Sequence, residues 1–146
     1  MTQREPSRNR LLTILVVDDE DIVRELVERS LRQAGYQVLQ ASHGAAGISM
    51  LERQPDKVDL VISDLVMPVL DGQVVAEWMR MHVPRIPILF ISGYPRAYLE
   101  AHHLYDPTVP ILRKPFLPSR LLEVVEEMLQ PQISQFDITT PRSGDR

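Results

Sequence analysis

The chain has 146 residues, 44% of them hydrophobic and 25% charged, which is the make-up of one folded domain with a real core. A net charge of -4 argues against a nucleic-acid surface, which would need a basic stripe. The absence of cysteine excludes disulfides and thiolate metal sites and suits a reducing, cytoplasmic setting.

Residues 1–10, with Arg4, Arg8 and Arg10 around Pro6, are expected to form a mobile N-terminal tail ahead of a domain over 11–130. The apolar run 11–17 is too short to span a bilayer and lacks a small-residue cleavage site, so it reads as a buried strand, ending in Asp18 and Asp19. A helix follows, with Ile22, Val23, Leu26, Val27, Leu31 and Ala34 at helical spacing for one buried face and Gly35 as its stop. Residues 36–41 alternate as an edge strand would, and 44–53 make a second helix with Ala45, Ile48 and Leu51 inward. Residues 58–62 are apolar apart from Asp59, as in a strand covered on both faces, and lead to Asp64 and then a loop with Pro68 and Asp71-Gly72. A helix over 72–81 carries Val74, Val75 and Trp78, the last taken as core, and 86–91 is a fourth buried strand ending at Ser92-Gly93. A short helix over 95–103, a strand over 109–112, Lys114-Pro115-Phe116 and a helix over 118–129 complete the pattern. Residues 131–146 are expected to be a disordered tail, with Phe136-Asp137-Ile138 as its only docking-like segment.

Five strands alternating with five helices predict a doubly wound α/β domain with a five-stranded parallel sheet. Right-handed crossovers put all the strand C-termini on one rim. Asp18, Asp19, Asp64, Ser92 and Lys114 then share a crevice. Each like-charge carboxylate pair near 4 Å costs about 4 kcal/mol gross at an effective dielectric of 20, so the cluster calls for a cation. An all-oxygen ligand set suits Mg2+, with Mn2+ as a substitute. A carboxylate can attack phosphorus to give an acyl phosphate, with the ion and a lysine neutralising the transferring group and Ser92 donating to it.

The Val16-Val17-Asp18-Asp19-Glu20 run, the run from Asp64-Leu65-Val66-Met67-Pro68 to Asp71-Gly72, Ser92-Gly93 and Lys114-Pro115-Phe116 together resemble the receiver domain of two-component response regulators. The resemblance covers residues 12–129 and implies a flavodoxin-like sheet in the order 2-1-3-4-5. It implies Asp64 as phosphorylation site, with Mg2+ held directly by Asp19, Asp64 and the Val66 carbonyl and through water by Asp18. Ser92 would be the switch hydroxyl, Lys114 the phosphate-contacting lysine, and the Lys114-Pro115 bond cis. Ile111 stands where receivers usually carry an aromatic switch residue, and residues 105–110 replace the usual turn before the fifth strand. The stretches around Ser92 and Lys114 look most like receivers fused to hybrid histidine kinases.

Each site residue also has a plainer use: a helix cap for Asp18 or Asp19, a turn for Asp64, Ser92 or Asp71, a solvated charge for Lys114. His102 and His103 point to different sides of a helix and are read as solvent-facing. Convergence at four strand ends favours function for the acids and the lysine, and turn chemistry alone for Asp71. The pattern is read as a non-enzymatic signalling module. It takes its phosphoryl group from a histidine kinase or histidine phosphotransfer protein and signals by contact with an unknown downstream protein. No nucleic acid or membrane is involved, and the chain is a monomer or a weak homodimer through the fourth helix, fifth strand and fifth helix. The alternatives are a receiver detached from a hybrid kinase and, from another class, a Mg2+-dependent aspartyl phosphatase. Bulky Val66 and Tyr94 beside the site predict slow self-dephosphorylation.

Overall fold

A computed structural model describes residues 11–130; both expected tails, with Phe136 to Ile138, lie outside the described residues. The elements are β1 (Thr13–Val17), α1 (Asp21–Gln33), β2 (Gln37–Ala41), α2 (Gly44–Arg53) and β3 (Leu60–Asp64). Then come α3 (Gly72–His82), β4 (Ile88–Ser92), α4 (Arg96–Ala101), β5 (Ile111–Arg113) and α5 (Pro118–Leu129). All strand pairs are parallel and the sheet order is β2-β1-β3-β4-β5, the doubly wound arrangement the pattern called for.

The apolar runs are continuous because both faces of the sheet are covered. Ile14 and Val16 of β1 pack with Val27 and Leu31 of α1 and Leu121 and Val125 of α5. Leu15 and Val17 point the other way, onto Leu51 of α2 and Val75 and Met79 of α3. A third cluster, Phe90, Leu99, Tyr105 and Val109, fills the space under α4. The chain runs from β1 outward to β2 and then crosses to β3 on the far side of β1. The carboxyl ends of β1 and β3 therefore flank the point where the winding reverses, the usual place for a ligand crevice. Among the described residues no helix is long and apolar enough to cross a membrane.

Several expectations are corrected; Ala34 and Ala45, expected on buried helix faces, are exposed. Ile22 and Leu26 do not face the core: they are 82% and 48% exposed, while Val27, Ser30 and Leu31 are buried. Ile22 lies nine residues before Leu31, two and a half turns, and so on the opposite side of α1. Trp78 is only half-buried and stacks on His82 at 4.4 Å. β4 and β5 start two residues later than their apolar runs, at Ile88 and Ile111, because Pro87 and Pro110 have no N–H for the ladder. Their carbonyls still accept, from Val61 and Phe90.

Gly35 ends α1 with φ of +103°, as expected. Less expected is Val69, a β-branched residue at φ +67° in the loop after β3, where the Leu70 N–H donates to the Pro68 carbonyl at 2.7 Å. The left-handed region costs a non-glycine residue about 1–2 kcal/mol, and the fully exposed Val69 side chain gains no packing in return. Val69→Asn is expected to stabilise the fold by about 1 kcal/mol and raise the melting midpoint by a few degrees. Thermal unfolding followed by circular dichroism measures this, and an unchanged or lower midpoint would mean the valine is favourable where it stands.

Candidate functional site

β1 and β3 bring the acids together. Asp18 follows β1 and is fully buried; its N–H donates to the Ala41 carbonyl at 3.1 Å and its Oδ1 accepts the Glu20 N–H at 2.9 Å. Arg24, on the first turn and a half of α1, clamps this corner. Its guanidinium donates to the Asp18 carbonyl at 2.7 Å, to Gln40 Oε1 at 3.1 Å and to Asp21 Oδ1 at 2.7 Å. Asp64 is the last residue of β3 and only 5% exposed. The first residue of α3 comes so close behind it that a Cβ on Gly72 would lie 2.5 Å from the Asp64 carbonyl oxygen. Only glycine fits there. Asp71 just before it caps α3, its Oδ1 accepting the Val74 N–H at 3.1 Å, so its carboxylate serves the helix.

Lys114 enters from the end of β5 through a cis bond to Pro115, with its own N–H on the Ser92 carbonyl at 2.8 Å. Its Nζ lies 2.6 Å from Glu20 Oε1, 3.4 Å from Asp64 Oδ2 and 3.5 Å from Asp18 Oδ2. Ser92 is buried, and its Oγ accepts the Tyr94 N–H at 3.0 Å. Asp19, Glu20, Asp64, Val66, Gly93, Tyr94 and Lys114 line an open cleft of about 380 Å³. Asp18, Asp64, Lys114 and Ser92 thus come together with Asp19 and Val66 on the cleft wall. His102 and His103 are exposed and take no part in it.

Burial first, then the charge of Asp18, pushes the Asp64 carboxyl up to about 7 despite Lys114 beside it. Burial likewise raises Asp18 above the usual carboxylate range. Burial alone would lower Lys114, but its hydrogen bond to Glu20 and the charges of Asp64 and Asp18 outweigh that and hold it above the ordinary lysine value. One ammonium leaves the acids under-neutralised.

Carboxylate oxygens of Asp18, Glu20 and Asp64 lie within 4.8 Å of one another. Asp18 Oδ2 is buried without a hydrogen-bond partner among the described residues; its contact with Lys114 at 3.5 Å is an ion pair only. An orphaned buried oxygen among hard oxygen donors fits a small divalent cation. Glu20 is the residue that the sequence reading left out of the ligand set. Its signal was present in the unbroken acidic run from Asp18 to Asp21 at a strand end. Asp19, expected to ligate directly, is exposed on the cleft wall rather than within this trio.

The model of the response regulator receiver domain family matches residues 14–126. The sensor kinase CckA of Brucella abortus is 37% identical over 120 residues, which is 82% of this chain and 13% of that protein. The response regulator receiver protein CpdR of the same organism is 30% identical over 116 residues, 80% of this chain and 95% of that one. Among solved structures, the receiver domain of hybrid histidine kinase CckA gives a TM-score of 0.68 at 36% identity over 81% of this chain and 99% of its own. A response regulator receiver protein from Sinorhizobium medicae gives 0.73 at 34% identity over 83% and 96%.

The raised Asp64 carboxyl makes stability fall with rising pH. Between 3.8 and about 7 the folded state binds a proton that the unfolded state has lost. Asp64→Asn, which copies the protonated form, is expected to gain on the order of several kcal/mol over wild type at pH 8, a gain shrinking toward zero near pH 4. Urea unfolding at the two pH values measures it; a gain independent of pH would show that the carboxylate is not strained there.

Proposed function

The chain belongs to the response regulator receiver domain family, and from that premise we propose that it accepts a phosphoryl group on Asp64 from a phosphohistidine. The observation that carries the reading is the Asp64 carboxylate at the cleft, with the Lys114 ammonium 3.4 Å from its Oδ2 and Asp18 and Glu20 beside it. Receiver domains bind Mg2+ at an acidic pocket. Here the ligands would come from Asp18, Asp19, Glu20, Asp64 and the Val66 carbonyl, and the bound ion would supply charge neutralisation on the phosphoryl oxygens.

Asp64 Oδ attacks phosphorus, the P–N bond breaks, and its electron pair leaves with the donor imidazole. The product is an acyl phosphate on Asp64. Lys114 faces the same carboxylate and takes the negative charge that arrives with the phosphoryl group. The Ser92 hydroxyl, buried beside the cleft, has a proton to donate to a phosphoryl oxygen while its lone pair holds the Tyr94 N–H. Val66 and Tyr94 line the cleft and limit the approach of water to the acyl phosphate. Ile22 and Leu26, which α1 turns to solvent after the acidic run, offer a histidine kinase or phosphotransfer protein an apolar foothold. Output is by protein contact, through the face of α4, β5 and α5.

Ile111 lacks the reach of an aromatic switch and packs against the same cluster as the buried Tyr105. Rearrangement on phosphorylation is therefore confined to residues 92–104.

Incubation with acetyl phosphate and Mg2+ is expected to add one PO3 to wild type and none to Asp64→Asn, read by intact mass, as an acid-stable, base-labile adduct. Equal labelling of both proteins would move the acceptor elsewhere. Beryllofluoride with Mg2+ should shift amide resonances over residues 92–104 and leave α5 nearly still; strong shifts along α5 would contradict the role given to Ile111.

A further inference from the structure

The shortest bond of Lys114 goes to the most exposed acid in reach. Its Nζ is 2.6 Å from Glu20 Oε1, whose side chain is 59% exposed, against 3.4 Å to Asp64, 7% exposed. Glu20 occupies the N-cap position of α1 but makes no side-chain cap bond. Its backbone N–H is held by Asp18 Oδ1, which fixes the residue and leaves the carboxylate to swing. That carboxylate has two claimants. One is the lysine; the other is the cluster with Asp18 and Asp64, whose oxygens lie within 4.8 Å and include the buried, unpartnered Asp18 Oδ2. A dication attracts a carboxylate about twice as strongly as an ammonium at equal distance.

We propose that Glu20 is a positioning residue that ties cation binding to the release of Lys114: it shares the ammonium with Asp64 and takes the shorter contact, 2.6 Å against 3.4 Å, until a divalent cation draws its carboxylate off. The inference rests on the reading of Asp64 as acceptor beside a Mg2+ site and deepens it by giving an order, cation first and lysine second. Lys114 faces the reacting carboxylate, and Glu20 acts on that carboxylate through the lysine. Glu20 thereby tunes two quantities at once, the affinity for the cation and the position of the lysine.

The chain has only two lysines, Lys57 and Lys114, so the side-chain ε-methylene resonances of each can be followed separately. Wild type, Glu20→Gln, Glu25→Gln as a charge control on exposed α1 and Asp64→Asn are each titrated with MgCl2. In wild type the Lys114 signal is expected to move with Mg2+ while that of Lys57 stays. In Glu20→Gln the Lys114 signal should be displaced before any Mg2+ is added and move less on titration. Mg2+ affinity there should be about tenfold weaker, the low end of what losing a supporting partner of a metal site costs. Glu25→Gln should follow wild type. A Glu20→Gln protein whose Lys114 signal starts and moves as in wild type overturns the proposal, with the site reading intact. Mg2+ that moves no signal in wild type, or binds Asp64→Asn as tightly as wild type, overturns the site reading and the proposal together.

Discussion

Carboxylates from Asp18, Glu20 and Asp64 are forced to within 4.8 Å of one another, with Lys114 as the one ammonium among them. That repulsion is the constraint on which the rest of the molecule turns. Left to solvent, acids this close would swing apart; two of these three cannot, because Asp18 and Asp64 sit at the buried ends of adjacent central strands. Burial first, and the neighbouring Asp18 charge second, carry the Asp64 carboxyl up to about 7. A bound positive charge would relieve this repulsion, which is what the proposed function asks of the site. Stability and chemistry are therefore opposed at Asp64.

The fold keeps the acids in place with backbone contacts more than with side-chain bonds. Arg24 fixes the β1–α1 corner by gripping the Asp18 carbonyl, not its carboxylate. The Gly72 N–H donates to the Leu65 carbonyl at 2.8 Å, and a Cβ on Gly72 would lie 2.5 Å from the Asp64 carbonyl oxygen, so the start of α3 is set hard against the end of β3. The Leu65 N–H donates to Ile91 O and the Lys114 N–H to Ser92 O, so β3, β4 and β5 end in register around the cleft. Of the clustered carboxylate oxygens, Asp18 Oδ2 is left without a hydrogen bond among the described residues, while Glu20 and Asp64 share the Lys114 ammonium.

The strands were legible because a sheet covered on both faces demands unbroken apolar runs, and the acids were legible because each ends such a run. Pro118 opening α5 and Gly35 closing α1 are local signals that tertiary packing did not override. The helix-face misses share a cause: periodicity says which residues could share a face, not how wide the covered face is. Ile22 and Leu26 fit a broad apolar stripe, yet α1 rests on the sheet along a narrow one through Val27 and Leu31. Glu20 was hidden for a different reason. Its role depends on a lysine 94 positions away, and no spacing rule brings the two together.

The same limit applies to the region around Ile111. Read along the chain, the aliphatic residue on β5 leaves a gap where an aromatic ring would transmit movement. In space a buried ring comes from the loop before β5, in the cluster that Ile111 packs against: Tyr105 packs with Phe90, Leu99 and Val109, and its hydroxyl donates to the Val109 carbonyl at 3.3 Å. Arg96 of α4 lies over that ring at 5.3 Å and donates to the same hydroxyl at 3.3 Å. Tyr105 therefore ties α4 to the entry of β5, at the opposite end of β5 from Lys114. On the cleft side, Ser92 Oγ holds the Tyr94 N–H, and the rings of Tyr94, Tyr98 and His102 stack in turn along α4 at 4.9 and 4.1 Å. A displacement starting at Ser92 meets this stack first and the buried Tyr105 second. α4 is a helix of six residues with one buried side chain, Leu99, so it resists displacement less than α5, which buries Leu121 and Val125 against the sheet. On the proposed function, movement would be steered into α4, the more weakly packed of the two helices.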